Sequence, residues 1–548
     1  MELTNGIKSL KLLQYILSKK AIIEHLKEKL GSVKKETFDF ENIRKYFDRK
    51  SQKDCLQVIS EKTCQDLDFE ELFMYLDRTH SRVGQQKLYD RLRKIHSRDK
   101  SNWELEQRIT LLKKDEDLRG EIQYLLSQLN KPEAFYISGL FQQSLRRPPQ
   151  WFVLIRALPL VNLLMLGLCF YNLQFLLPFL LLTLVHLVLH YWNKRNVTEY
   201  VSSLPQLIRL NQVAKKILQK QAFGWNKQNM EQAIGVIDRV RNKMSFFRLE
   251  ARLQGDFEAF IWAVLEIMKI VLLLEPLLLF NVLRSLENKK KDIEQVFEFV
   301  GSVDVALSVY SLRAGQDIIC TPSITKRKKE LAAEEMCHPL IEDCVTNSFH
   351  VKDRSMLLTG SNMSGKTSFI RTLGVNALTA LTLHTCFSRK FEMPVMRIHS
   401  AIRITDDLVN DKSFYFEEVM TVRNMIEAGR EQPQNLFLLD EIYKGTNTIE
   451  RIAGGKAVLS YLNRGDDLVF VSTHDIELTD YLIGQYDLYH FTEEVDNGSV
   501  NFDYKLKRGK LYTRNALRIL EINGYPDEVI REATELAGEI TQTSVRGE

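Results

Sequence analysis

The stretch Ser355-Met-Leu-Leu-Thr-Gly-Ser-Asn-Met-Ser-Gly-Lys-Thr-Ser368 decides the fold. Its apolar run, Met356 to Leu358, reads as a short buried strand. Gly360 and Gly365-Lys366-Thr367 then match the spacing G-x-x-x-x-G-K-[ST]. Glycines at those positions let backbone N–H groups turn inward around phosphate oxygens, and the helix that follows presents its positive end to them. Lys366 has the reach for β- and γ-phosphates, and the Thr367 hydroxyl can hold Mg²⁺. The expected nucleotide contacts are Gly360, Ser361, Asn362, Met363, Ser364, Gly365, Lys366, Thr367 and Ser368. A chance match in a Gly/Ser loop is the plain alternative, and it weakens with each partner found downstream.

Leu436-Phe-Leu-Leu-Asp-Glu441 lies some seventy residues later and reads as an apolar strand ending in two carboxylates. Asp440 at the strand end is placed to hold Mg²⁺ through water, and Glu441 to orient or activate an attacking water. The alternative is an edge strand that meets a surface acidic pair. Val469-Phe-Val-Ser-Thr-His474 is a further buried strand, and a His at such an end commonly reaches the γ-phosphate in ABC-class ATPases. Between these runs, Asp411 or Ser413 can cap a helix, which by itself is only a capped helix. Apolar runs alternate with helical stretches from about 331 onward, so we expect an α/β P-loop domain over 331–548, mainly a parallel sheet with helices on both faces.

Upstream the pattern is helical. Residues 1–64 read as a charged N-terminal helical segment, and 65–330 as an all-α core or lever region. Apolar residues at 69, 72, 73 and 76, then 88 and 92, predict two amphipathic helices joined near Thr79 to Gly84. Residues 151–192 break this composition. Between Arg147 and Lys194 the only Asp, Glu, Lys or Arg is Arg156. Trp151–Tyr171 and Leu173–Trp192 are each long enough to cross a hydrocarbon core of about 30 Å as a helix. Asn172 is the natural turn, aromatic residues sit near the ends, and Arg146, Arg147, Lys194 and Arg195 flank the outer ends. A transmembrane helical hairpin with both ends cytoplasmic is expected, against the alternative of two fully buried core helices. Ala259–Val282 is also apolar, yet Glu266, Lys269 and Glu275 argue against a third crossing and for a buried scaffold helix.

Composition sets weaker bounds. With 75 Lys+Arg against 71 Asp+Glu, the net charge of +4 gives no global basic field for nucleic acid. Lys289–Lys291 and Lys326–Lys329 are short basic runs, read as solvated faces or as a phosphate-contacting patch. Seven scattered cysteines show no zinc-site spacing, so reduced thiols are expected. No apolar segment with a cleavage site opens the chain, so a cleaved signal peptide is not expected.

Taken in order, these pieces resemble the MutS family of DNA mismatch-repair ATPases. Thr359-Gly-Ser-Asn-Met-Ser-Gly-Lys-Thr-Ser368 resembles the family's TGPNMGGKST, and Leu439-Asp-Glu-Ile-Tyr-Lys-Gly-Thr-Asn-Thr448 its LDEIGRGTST. Asp406-Asp-Leu with Ser413-Phe-Tyr-Phe-Glu-Glu-Val resembles DDL…STFMVEM, and Ser472-Thr-His474 resembles STH. The segment 516–530 is similar to the family's closing helix, 67–92 to the start of its helical core, and Val303–Leu307 to the end of its lever helices.

The resemblance implies an ATP hydrolase that uses ATP and Mg²⁺ and works as a dimer, here a homodimer. It assigns Ser413 to the partner's ATP in a composite site, and catalytic roles to Lys366, Glu441 and His474, with Thr367 and Asp440 on Mg²⁺. It also implies closure on mismatched or branched DNA. Three departures stand out: the mismatch-recognition and connector domains are not expected ahead of residue 65, the family's Pro and Gly are Ser361 and Ser364, and Tyr443 replaces a glycine. Phe-x-Glu, the family's wedge motif, occurs by letter at Phe69, Phe416 and Phe491, each in a segment with another assignment. The expected protein is a membrane-anchored branch of the family, multi-pass with two spans and with its ATPase domain and both termini cytoplasmic. The rival is an ATPase engine of a membrane transport or scaffold complex without DNA binding.

Overall fold

The computed structural model describes residues 18–52, 55–97, 100–145, 152–241, 244, 266–361, 363–403, 414–431, 434–496, 499–511, 516–522 and 524–546. These fall into two compact units. One comprises Met1–Lys53, Leu76–Arg91 and Trp103–Gly315; the other comprises Asp54–Tyr75, Leu92–Asn102 and Gln316–Glu548. The contacts thus cut the chain elsewhere than at 64 and 330.

The described part of the first unit is helical throughout. Its helices include α1 (Phe152–Cys169), α2 (Leu176–Lys220), α3 (Lys227–Arg241), α4 (Leu274–Glu287) and α5 (Lys290–Ala314). Buried polar groups pin its sequence-distant parts. Asp304 on α5 accepts from the His80 and Ser81 N–H groups (2.9 and 2.8 Å) and from the Ser81 hydroxyl (2.5 Å), so it satisfies donors at the start of the Arg82–Leu92 helix. Gly84 must lack a side chain, because a Cβ there would lie 2.0 Å from the Asp304 carboxylate. Glu298, also on α5, pairs with Lys87 at 2.6 Å and with Lys50.

The apolar stretch forms helix, turn and helix about Asn172, whose side chain caps the turn by accepting from the Gln174 N–H at 3.0 Å. Leu173–Tyr191 is long and apolar enough to cross a membrane, and only 11% of it is buried. The described apolar part of α1, Arg156–Cys169, is shorter. α2 then runs on unbroken for 45 residues, about 65 Å at 1.5 Å per residue. The single scaffold helix expected over 259–282 is interrupted: Leu273 takes φ 46°, ψ 37°, a left-handed conformation that ends one helix and begins α4. Residues 259–265 lie outside the described residues.

The second unit is built on a six-stranded sheet of β1 (Ser355–Thr359), β2 (Arg397–Ala401), β3 (Asn435–Asp440), β4 (Leu468–Thr473), β5 (Tyr486–His490) and β6 (Lys507–Arg508), in the order β6-β5-β1-β4-β3-β2. Every pairing except β5–β6 is parallel. Parallel strands are buried on both faces, which explains the unbroken apolar runs in β3 and β4. On one face Phe437, Leu439, Val469 and Val471 pack with Val422, Met425, Leu459 and Leu462 of the Phe414–Glu431 and Thr448–Leu462 helices. On the other, Leu438 meets α6 (Lys366–Leu383) at Gly374, and the Phe470 ring meets Phe349. A four-stranded sheet of Ser323–Thr325, Glu330–Met336, Asn347–Lys352 and Lys390–Pro394 lies in the same unit.

Residues 54–75 and 92–102 join this unit by covering the β2 edge. Gln57 exchanges two 2.7 Å bonds with the Ile398 backbone, as a strand partner would. Buried Asp66 accepts from the Ser400 hydroxyl (2.6 Å) and from the Ile402 and Arg403 N–H groups (3.1 and 2.9 Å).

Candidate functional site

The loop after β1 bends where a side chain would be refused. Gly360 has φ 154°, and a Cβ on it would stand 2.7 Å from the Ser364 hydroxyl; Gly365 has φ 102°. The two serines that depart from the family pattern stitch this loop. The Ser364 hydroxyl donates to the Ser361 carbonyl (2.8 Å), and the Ser361 hydroxyl donates to Glu493 (2.7 Å). Lys366, the first residue of α6, turns its ammonium back onto the Gly360 and Ser361 carbonyls, both at 2.7 Å. Burial holds its pKa below the ordinary lysine value, against the pull of Glu441, Asp440 and Glu493.

β3 and β4 deliver the acids and the histidine. The Thr367 hydroxyl donates to Asp440 at 2.7 Å, and the Ser472 hydroxyl donates to the other Asp440 oxygen. Glu441 takes φ 61° and bonds its N–H to the Ser472 carbonyl at 2.9 Å, and this bend brings Glu441 to the cavity wall. Its carboxylate is 3.3 Å from His474 Nδ1 and 3.3 Å from Lys444 Nζ. The bond to His474 holds the Glu441 carboxyl down at about 2, and the same bond raises the His474 imidazole. Behind them, Arg451 grips Asp475 through two bonds of 2.9 and 2.8 Å.

The loop after Glu441 is fixed from the Phe414–Glu431 helix, where buried Glu418 accepts from the Tyr443 N–H. Tyr443 itself takes φ 59°, a left-handed backbone, where the family pattern has a glycine. That ring lies against Tyr415 and beside Gly454.

Some of these groups line a cavity of about 580 Å³, whose wall includes Ser361, Met363, Gly365, Lys366, Thr367, Ser368 and Glu441. Its remaining wall comes from Met336, Ile341, Val345, Phe369, Phe491 and Tyr504, together with Glu342, Asp343, Cys344, Asn347 and Thr372. No spacing rule marks those residues, and only the fold gathers them. The structure thus brings together Gly360, Ser361, Met363, Ser364, Gly365, Lys366, Thr367, Ser368, Asp440, Glu441 and His474; Asn362 and Ser413 lie outside the described residues.

The donor set suits a triphosphate with Mg²⁺. Thr367 and Asp440 offer only oxygen, as a hard cation requires, and their side chains lie in direct contact. No group of three His, Cys, Asp or Glu side chains able to hold a metal occurs among the described residues, so phosphate oxygens and water would complete the shell.

The model of MutS domain V matches residues 356–541. Among curated proteins, the chain is similar to the DNA mismatch repair protein MutS of Aquifex pyrophilus, at 30% identity over 223 residues, 38% of this chain and 26% of that one. The MutS of Geobacillus sp. (strain WCH70) is 30% identical over 239 residues, 40% of this chain and 27% of its own. That of Methanosarcina acetivorans is 25% identical over 279 residues, 48% and 31%. The chain therefore covers less than a third of the length of these relatives.

Proposed function

Because the chain belongs to the MutS family through its domain V, we propose that it is a membrane-anchored, dimerising ATPase whose nucleotide cycle closes and reopens a clamp. The observation that carries this reading is the convergence of Lys366, Thr367, Asp440, Glu441 and His474 on one cavity wall or on the groups that form it. Lys366 exchanges its two loop carbonyls for phosphate oxygens, which neutralises charge on the transferring group. Thr367 and Asp440 would hold Mg²⁺, which when bound would offset phosphate charge. Glu441, kept ionised by its bond to His474, accepts a hydrogen bond from the attacking water and orients or activates it. His474 fixes the Glu441 carboxylate and offers a donor toward the γ-phosphate.

Two such sites in a homodimer, each completed by Ser413 of the other copy, link ATP binding to closure. Mismatched or branched DNA is the proposed load. The relatives are named for mismatch repair, and a single domain V shared with them is the support. The anchor is 151–192, with both termini and the ATPase unit on the cytoplasmic side; its support is the exposed apolar surface of Leu173–Tyr191. A second reading, an engine for a membrane transport or scaffold complex without DNA, draws on the continuity of α2 from that apolar stretch into the helical unit. Hydrolysis measured with duplex, mismatched and branched DNA over a range of salt separates the two. A salt-sensitive change of rate with DNA supports the clamp, and indifference to every DNA supports the membrane engine.

A further inference from the structure

We propose that residues 266–280 enter the bilayer beside the apolar hairpin as a re-entrant third element, docked there by a buried polar cluster and facing acyl chains. The proposal rests on the reading of 173–191 as a membrane-crossing helix.

Along 266–269 the polarity is inside out. Ile267 and Met268 are 61% and 45% exposed, whereas Lys269 beside them is fully buried. Its ammonium lies 2.5 Å from Glu266, and Glu266 lies 3.3 Å from Nε2 of fully buried His190. In water a lysine turns outward and an isoleucine inward. The reverse order is the arrangement lipid requires, with charges paired inside and apolar side chains outside.

The broken backbone follows the same logic. The left-handed turn at Leu273 interrupts the ladder and leaves the Val271 carbonyl to side chains of the hairpin. His186 Nδ1 lies 2.9 Å from that oxygen, and the carbonyl can only accept, so Nδ1 carries the proton. The Asn162 amide donates to the same oxygen at 3.3 Å. Both side chains are fully buried between otherwise exposed apolar neighbours such as Leu160, Leu164 and Leu184. A helix break is tolerated at membrane depth only when protein satisfies the freed groups, as here.

The contacts also give the path. Glu266 meets His190, one residue from the Tyr191 end of the apolar stretch. Val271 meets His186, five residues in from that end, or about 7 Å deeper. Leu273 then packs with Leu158, Leu189, Leu277 and Phe280, and α4 continues against α2 and α3. Entry and exit are on the Tyr191 side, which defines a re-entrant element and not a third crossing.

The test uses the full chain in phosphatidylcholine proteoliposomes carrying tritiated acyl chains. The photoreactive residue p-benzoylphenylalanine replaces Leu180, Ile267 or Gln212 in turn. Tritium transfer at 180 and 267, several-fold above that at 212, supports the proposal. Transfer at 180 with none at 267 overturns it and leaves the hairpin reading intact. No transfer at 180 removes the hairpin reading and this proposal with it. With Asn162→Leu and His186→Leu combined, transfer at 267 is expected to fall several-fold while that at 180 stays; unchanged transfer at 267 overturns the docking role of the cluster.

Discussion

The Thr367 hydroxyl donates to the Asp440 carboxylate across 2.7 Å, which ties the first turn of α6 to the end of β3. On the proposed function, Mg²⁺ binds where these oxygens meet. Thr367→Val keeps the shape and removes the donor. Losing a hydroxyl oxygen at the cation should lower nucleotide affinity in Mg²⁺ by roughly 10- to 100-fold. Affinity in EDTA should change far less. Titration of a fluorescent ATP analogue with and without Mg²⁺ checks this.

The Glu441–His474 pair sets a pH window. His474 has its pKa raised in the folded chain, so its share of stability is full below the ordinary histidine value and is lost as pH climbs through the raised value. Glu441 is depressed to about 2, so its share is full above the ordinary carboxylate value and fades as pH falls toward 2. The pair is intact between those limits. Glu441→Gln should therefore move the His474 titration, followed by imidazole NMR, down toward the ordinary value. An unmoved titration would show that the two do not interact in solution.

Lys444 also holds Glu441, at 3.3 Å. Lys444→Ala should leave nucleotide affinity within a few-fold and alter the hydrolysis rate, because it frees the carboxylate without touching the phosphate loop. Single-turnover kinetics separates these two quantities.

Gly84→Ala should loosen the start of the Arg82–Leu92 helix, since the new Cβ would collide with Asp304 at 2.0 Å. Displacing that carboxylate strands buried donors at a cost of about 2–4 kcal/mol. Amide hydrogen exchange should show faster exchange at Ser81 to Gln85, with little change in β3 and β4 of the other unit.

The site was legible where chemistry demands a residue at a fixed spacing. Gly360, Lys366, Thr367, Asp440, Glu441 and His474 all announce themselves by type and position at strand ends. The parallel sheet was legible in the uninterrupted apolar runs of β1, β3 and β4. What spacing cannot carry is long-range edge chemistry. Gln57 pairing with Ile398 and Asp66 capping 400–403 draw 54–75 into the α/β unit, although its helical periodicity placed it with the helices. The apolar cavity wall, from Met336 to Tyr504, has no signature because any side chains of suitable shape serve. The break at Leu273 was equally silent, since leucine does not advertise a left-handed backbone.

In the proposed cycle this cavity hydrolyses ATP through Glu441. The most direct test of this step is steady-state phosphate release by the purified full chain and by Glu441→Gln, with ATP binding measured on both. Mg²⁺-dependent hydrolysis by the wild-type chain is expected, with a variant that binds ATP but loses at least about 100-fold in rate, as removal of a group that positions the attacking water does. Equal hydrolysis by both, or none by the wild-type chain under conditions where ATP binds, would contradict this step.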